Sequence, residues 1–267
     1  MENKHNRKAS LIGYYFKNLL LDWKGKFLDP NTSDIQEVIG KIQAYEEINR
    51  VGKSFSLLLS FSDFRLLHIG KNVVDVFGYT AEELMQYKAG VIFKLLPFSH
   101  LSFPVKALSW AKKVRAQTRL WLEHSNICFC GVKIKHKDGR IIRIFIRLRI
   151  LNNAKSGFPS MVLHTTEEVT HLLKGEHYWG RFACGKDQRH IQSFLSTGEK
   201  REFSEILSER EKEILLLIMN NKSSQDISEE LGIATNTVLK HRKNMIMRTG
   251  AKDTTALMQL AKMCELV

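Results

Sequence analysis

Apolar positions change their period along the chain, and the changes mark out its parts. Residues 1–51 carry helical spacing in two pieces: Leu19, Leu20 and Trp23, then Ile35, Val38, Ile39, Ile42 and Tyr45 at three-and-four intervals. Asp29-Pro30-Asn31 separates them, since proline cannot continue a helix and asparagine favours a turn. From about Phe55 the period falls to two. In 126–136 Cys128, Cys130, Val132 and Ile134 read as one face of a strand, with Lys133, Lys135 and Lys137 on the other. Asp138-Gly139 then predicts a tight turn into a second arm, where Ile142, Ile144, Ile146, Leu148 and Ile150 lie opposite Arg143, Arg147 and Arg149. Residues 159–165 supply a third strand. These strands, with short helices around 73–84, predict an α+β domain over 52–172, its sheet apolar on one face and basic on the other. Residues 173–203 are polar and glycine-punctuated and read as a linker.

Beyond 204 the period returns to 3.6. Ser208 with Glu211, and Ser223 with Asp226, have the spacing of capping boxes that start two helices. Ile214, Leu215 and Ile218 form the inner face of the first, Ile227 and Leu231 that of the second. Leu231-Gly232-Ile233 is a tight turn, after which 235–248 forms a third helix with Val238, Met245 and Ile246 inward. Asp253 caps a fourth helix carrying Leu257, Leu260 and Ala261. Two short helices around a glycine turn, the second basic, make a helix-turn-helix within a separate all-α domain over 204–267.

Charge sharpens this picture by its position. The chain of 267 residues has 41 Lys and Arg against 28 Asp and Glu, net +13, which favours a polyanionic partner. Yet 204–267 contains nine residues of each sign, so the excess lies upstream, with eleven basic residues against Glu123 and Asp138 in 111–150. The nucleic-acid argument therefore rests on the third helix alone. It has no acid from Thr235 to Ala251, and Asn236, Lys240, Lys243 and Met247 share one face by their spacing. Lysines neutralise phosphates and Asn or Thr can bond base edges, so the face suits the major groove of double-stranded DNA. A solvated basic helix has the same pattern, and the capped helix and glycine turn decide against it. No run reaches the ~18 apolar residues of a membrane span, four scattered cysteines form no disulfide framework, and the expected location is cytoplasmic.

The residues 207–215, LSEREKEIL, resemble the L-T-x-R-E-x-E-V-L opening of the LuxR-type helix-turn-helix. Residues 224–231 resemble its second helix, and Thr237-Val238-Leu239-Lys240-His241-Arg242-Lys243-Asn244 resembles its recognition helix, T-V-K-x-H-x-x-N. Ala234 stands where that family usually has a capping serine, so Thr235 is expected to cap, and Leu239 replaces a lysine. The resemblance implies a DNA-binding regulator acting as a homodimer. Its contacts would come from Thr235, Asn236, Thr237, Leu239, Lys240, His241, Arg242, Lys243 and Asn244.

Upstream, Asn72 to Leu84 with Gly78-Tyr79 and Glu82-Glu83-Leu84, the hairpin 135–139 (KHKDG) and the exit residues 165–170 resemble a PAS domain. That implies a sensor, with Phe77, Phe93, Cys130, Ile134 and Ile144 lining a pocket for a small molecule. The sequence names no cofactor: the flavin-cysteine string of photoactive PAS domains is absent, and no Cys/His set has zinc-ligand spacing. No phosphate-binding glycine loop or nucleophile elbow points to an enzyme. Two alternatives remain open at this level. The domain could be a ligand-free interaction or dimerisation module, or a divergent receptor of the quorum type.

Overall fold

The computed structural model describes residues 29–48, 53–63, 65–86, 95–117, 125–152, 159–184, 190–196 and 205–267. The first expected helical piece, with Leu19, Leu20 and Trp23, lies outside them, as does Phe93.

Helix α1 (Thr32–Ile48) begins after the proline break, where the Asn31 side chain accepts from the Asp34 amide at 2.8 Å. Strands β1 (Ser54–Ser60) and β2 (Leu66–Ile69) follow, then the short helices α2 (Val73–Phe77) and α3 (Ala81–Met85). The Thr80–Glu83 capping box forms as the spacing predicts. A 3₁₀ turn (Phe98–His100) leads into α4 (Phe103–Gln117), and β3 (Asn126–Lys135), β4 (Ile141–Asn152) and β5 (Pro159–Glu168) complete the expected hairpin and third strand. All pairings are antiparallel, in the order β2-β1-β5-β4-β3-β6-β7.

The last two strands, β6 (Trp179–Cys184) and β7 (His190–Leu195), arise within the stretch expected as a linker. Alternation is present there, with Tyr178 and Phe182 against Trp179 and Arg181, but glycine and arginine dilute it below what a sequence reading accepts. Tertiary pairing overrides the local signal: Ile127 registers with Phe182 and Phe129 with Gly180.

The sheet is covered on both faces. On the inner face Phe55, Phe129, Val132, Ile134, Ile142, Ile144 and Ile146 pack with Val76, Phe77, Leu84 and Phe103 from the helices. The outer face is not a solvated basic surface. At one end α1 lays Ile42 on Leu58 and Met161. At the other, Cys128, Cys130, Phe145 and Trp179 share a core with the C-terminal helices. Those helices are α5 (Glu209–Met219), α6 (Ser224–Glu230), α7 (Thr235–Thr249) and α8 (Thr254–Cys264), matching the predicted all-α unit and giving an α+β protein overall.

A bulge between Cys130 and Val132 corrects the reading of β3. Gly131 takes φ +84°, and a side chain there would strike the His177 carbonyl at 2.9 Å. The inserted residue sends Cys128 and Cys130 outward and Val132 and Ile134 inward, so the four do not share a face. Cys130 thereby leaves the expected pocket set, while Phe77, Ile134 and Ile144 stay together on the inner side.

Candidate nucleic-acid interface

Local chemistry positions the C-terminal helices. Ser208 and Glu211 close their capping box at 2.9 and 3.3 Å, and Ser223 and Asp226 theirs at 2.8 and 3.1 Å. Gly232, at φ +60°, turns the chain between α6 and α7, and the Ile233 amide returns to the Ser228 carbonyl at 3.0 Å. The N-cap of α7 is Ala234, which offers no side-chain acceptor. Thr235 is therefore not the cap. Its hydroxyl donates to Ser228 Oγ at 3.0 Å and ties the two helices of the motif together.

Helix α7 divides along its length. Asn236, Thr237, Leu239, Lys240, Lys243 and Met247 are exposed, Leu239 to 49% and Met247 to 67%. No acidic partner for Lys240 or Lys243 occurs among the described residues. The structure thus brings most of the expected contact set onto one open face. His241, Asn244 and Arg242 are half-buried, and Arg242 points into the bundle. Its guanidinium donates to Ser224 Oγ at 2.9 Å and Thr254 Oγ1 at 3.4 Å, linking α6, α7 and α8.

The far end of α7 belongs to the sheet. Helix ends leave carbonyls without partners, and here residues 172–179 take part in supplying them. The Trp179 indole donates to the Thr249 carbonyl at 2.9 Å, and His177 Nε2 lies 2.9 Å from the Arg248 carbonyl. The Lys174 and Gly175 amides both reach the Gly250 carbonyl, at 2.9 and 3.0 Å, while the Lys252 amide returns to Leu172. Arg143 and Arg147 of the basic strand face, with Arg181 of β6, complete the attachment. Arg181, 2% exposed, pairs with Glu205 at 3.1 Å, and Arg147 donates to the Met263 carbonyl. Arg143 bonds the Gly175 carbonyl and Glu176, whose carboxyl is held below its usual range by Lys133 first and Arg143 second. Burial pushes the Cys264 thiol up, with Cys128 and Cys130 beside it. Sequence reasoning placed Arg143 and Arg147 on the basic strand face but missed His177, Trp179 and Arg181, whose only signal was the short alternation of 178–182.

On the inner face His100, Tyr178, Phe103, Phe129, Trp110 and Phe194 form an aromatic cluster. Its ring centroids lie 5.0 Å apart for His100–Tyr178 and 5.3 Å for Phe103–Tyr178. His100 Nε2 is buried without a hydrogen-bond partner among the described residues, and the Tyr178 hydroxyl is buried with Ser102 beside it. Burial first, and Lys133 and Arg143 next, bring the His100 pKa down to about 4, while burial pushes Tyr178 up to about 12. Both are neutral near pH 7. Among the described residues no group of three or more His, Cys, Asp or Glu side chains is placed to hold a metal, and no helix is long and apolar enough to cross a membrane.

Residues 205–261 match the family described as bacterial regulatory proteins, luxR family. The transcriptional regulatory protein MctR of Rhizobium johnstonii is 40% identical over 65 residues, which are 24% of this chain and 30% of that protein's length. The spore germination protein GerE of Bacillus subtilis is 34% identical over 62 residues, 23% of this chain and 84% of GerE. Solved structures similar to the chain include a PAS domain from the fruit-fly ELK potassium channel, 16% identical, covering 50% of this chain and 98% of that one at a TM-score of 0.35. Another is a VqmA-ligand-DNA complex from Vibrio cholera, 15% identical, covering 81% and 85% at 0.28.

Proposed function

The chain belongs to the luxR family of bacterial regulatory proteins, a DNA-binding regulator with a PAS-like domain ahead of its helix-turn-helix, and from this premise we propose that it binds promoter DNA as a homodimer through the exposed face of α7. The observation that carries the reading is that open face, acid-free and bearing two lysines with no acidic partner among the described residues. Lys240 and Lys243 neutralise phosphates, and Asn236 and Thr237 are placed to bond base edges. Leu239, exposed at the same surface, offers a methyl contact to thymine. The uncapped amides at the start of α7 add donors for a backbone phosphate. Arg242 drops from the contact set to a structural role. Binding in pairs implies two half-sites about one helical turn apart. The protein acts in the cytoplasm, where such a promoter is found.

The sensor domain, in this proposal, takes a small molecule on the inner face of its sheet, near Phe77, Ile134 and Ile144. Support comes from His100 Nε2, a buried polar atom that a hydrogen-bonding ligand would satisfy. Titration of the full chain against a promoter duplex tests the DNA arm. Lys240→Glu with Lys243→Glu should abolish binding while the circular dichroism spectrum stays the same, and unchanged affinity sinks it. Native mass spectrometry tests the rest: a dimer with added non-protein mass supports a sensor of small molecules. A dimer at bare polypeptide mass, unshifted by candidate small molecules, favours an interaction module instead.

A further inference from the structure

Residues 177–179 touch both sides of the sheet at once. Backbone alternation sends Tyr178 inward and its two neighbours outward. Tyr178 packs on His100, Phe103 and Phe194 in the aromatic cluster of the sensor interior. His177 and Trp179 bond the carbonyls of Arg248 and Thr249, the last turn of α7. A group placed in the interior is thus one residue away from the end of the recognition helix.

The segment has little slack. Tyr178 exchanges two bonds with Ser196, its amide donating to the Ser196 hydroxyl at 2.8 Å and its carbonyl accepting from the Ser196 amide at 2.9 Å. The His177 carbonyl lies against Gly131, where even a methyl group would clash. Trp179 is 1% exposed, and packed interiors transmit displacement rather than absorb it. His100 Nε2, with no hydrogen-bond partner among the described residues, and the Tyr178 hydroxyl, with Ser102 beside it, are the atoms through which an occupant of the interior would gain hold of this segment.

We infer that residues 177–179 couple the sensor interior to the recognition helix, with Tyr178 as the positioning residue and the His177 and Trp179 bonds carrying its position to the end of α7. The inference rests on α7 being the helix that reads DNA. Interior occupancy that tilts the Tyr178 ring changes the two bonds outside, and with them the orientation of the open half of α7.

Hydrogen exchange of the full-length chain tests the coupling without any ligand. Tyr178→Leu should speed exchange in peptides spanning 172–178 and 246–253 by at least about fivefold, the lower end of ordinary coupling between sites, with α5 unaffected. Val162→Ala, a buried inner-face change on β5 away from this segment, should leave those peptides as they are. Equal loosening by both variants, or none from Tyr178→Leu, overturns the proposal. Should Tyr178→Leu not fold, Trp179→Phe decides. It deletes the outer indole donor and part of the buried ring without touching the interior side, yet coupling is reciprocal, so the imidazole resonances of His100 should shift. Unmoved His100 resonances in that variant overturn the proposal. On duplexes selected by the wild-type chain, Tyr178→Leu should also weaken affinity at least about fivefold while its salt dependence holds. A wild-type chain that selects no duplex removes the DNA reading, and the exchange and resonance results still decide the coupling.

Discussion

The two halves of α7 have opposite environments within one continuous helix. From Asn236 to Lys243 the outward residues meet solvent, with lysines free of acidic partners among the described residues. From Met245 to Gly250, Met245 and Thr249 are buried while Met247 stays open, and three backbone carbonyls are bonded by residues 174–179. The difference shows how a helix can be fixed at one end and available at the other. The docked half stabilises and orients; the free half has charges left over for a polyanion.

Breaking the fixed half should have the largest effect. Arg181→Ala leaves Glu205 buried with Lys212 at 3.6 Å and the Ile206 amide at 2.9 Å. A loss of about 3–5 kcal/mol is expected, as for other broken buried ion pairs, read as a lower denaturant midpoint. A drop under ~1 kcal/mol would mean that the attachment does not depend on this pair. Acid should weaken the sensor interior next. His100 is held neutral in the fold with its pKa lowered to about 4, against 6.5 unfolded. Its contribution is complete above pH 6.5 and declines as pH falls toward 4, because the unfolded chain takes the proton first. The wild-type midpoint should fall across that window, and His100→Leu should flatten the fall. An identical pH profile in the variant refutes the assignment.

Two smaller changes separate orientation from contact. Arg242→Ala removes the bonds to Ser224 and Thr254 and should lower stability by about 1–2 kcal/mol with the salt slope of DNA binding unchanged. Lys243→Ala should do the reverse: full stability, and a slope shallower by about one unit in a plot of log affinity against log salt. If Arg242→Ala changes the slope and Lys243→Ala does not, the division of the helix face is drawn in the wrong place.

The free half was legible in the sequence because its determinants are local. Capping pairs three residues apart, a glycine in the turn and an acid-free helix need no knowledge of distant chain. The docked half was not, because its determinants are pairings. Arg143, Arg147 and Arg181 have the alternation of an exposed polar face, and only the arrival of the C-terminal helices turns that face into an interface. Gly131 is one glycine among 16, and nothing nearby announces that it reverses the side-chain order of β3. Strands β6 and β7 were missed for the same reason, since β6 pairs with β3, some fifty residues earlier, and β7 pairs only with β6. Of the residues that the PAS resemblance implies for a pocket, Phe77, Ile134 and Ile144 lie together in the inner core and Cys130 is turned outward at the bulge, while His100 and Tyr178 carry no pattern that marks them.

The most direct test of the account is to select duplexes from a random library with the full-length chain, and to repeat the selection with Lys240→Glu combined with Lys243→Glu. The account predicts that the wild type enriches a pseudo-palindrome whose half-sites lie about one helical turn apart, and that the double variant enriches nothing. Enrichment of the same sequence by the double variant would contradict the assignment of α7 as the reading helix.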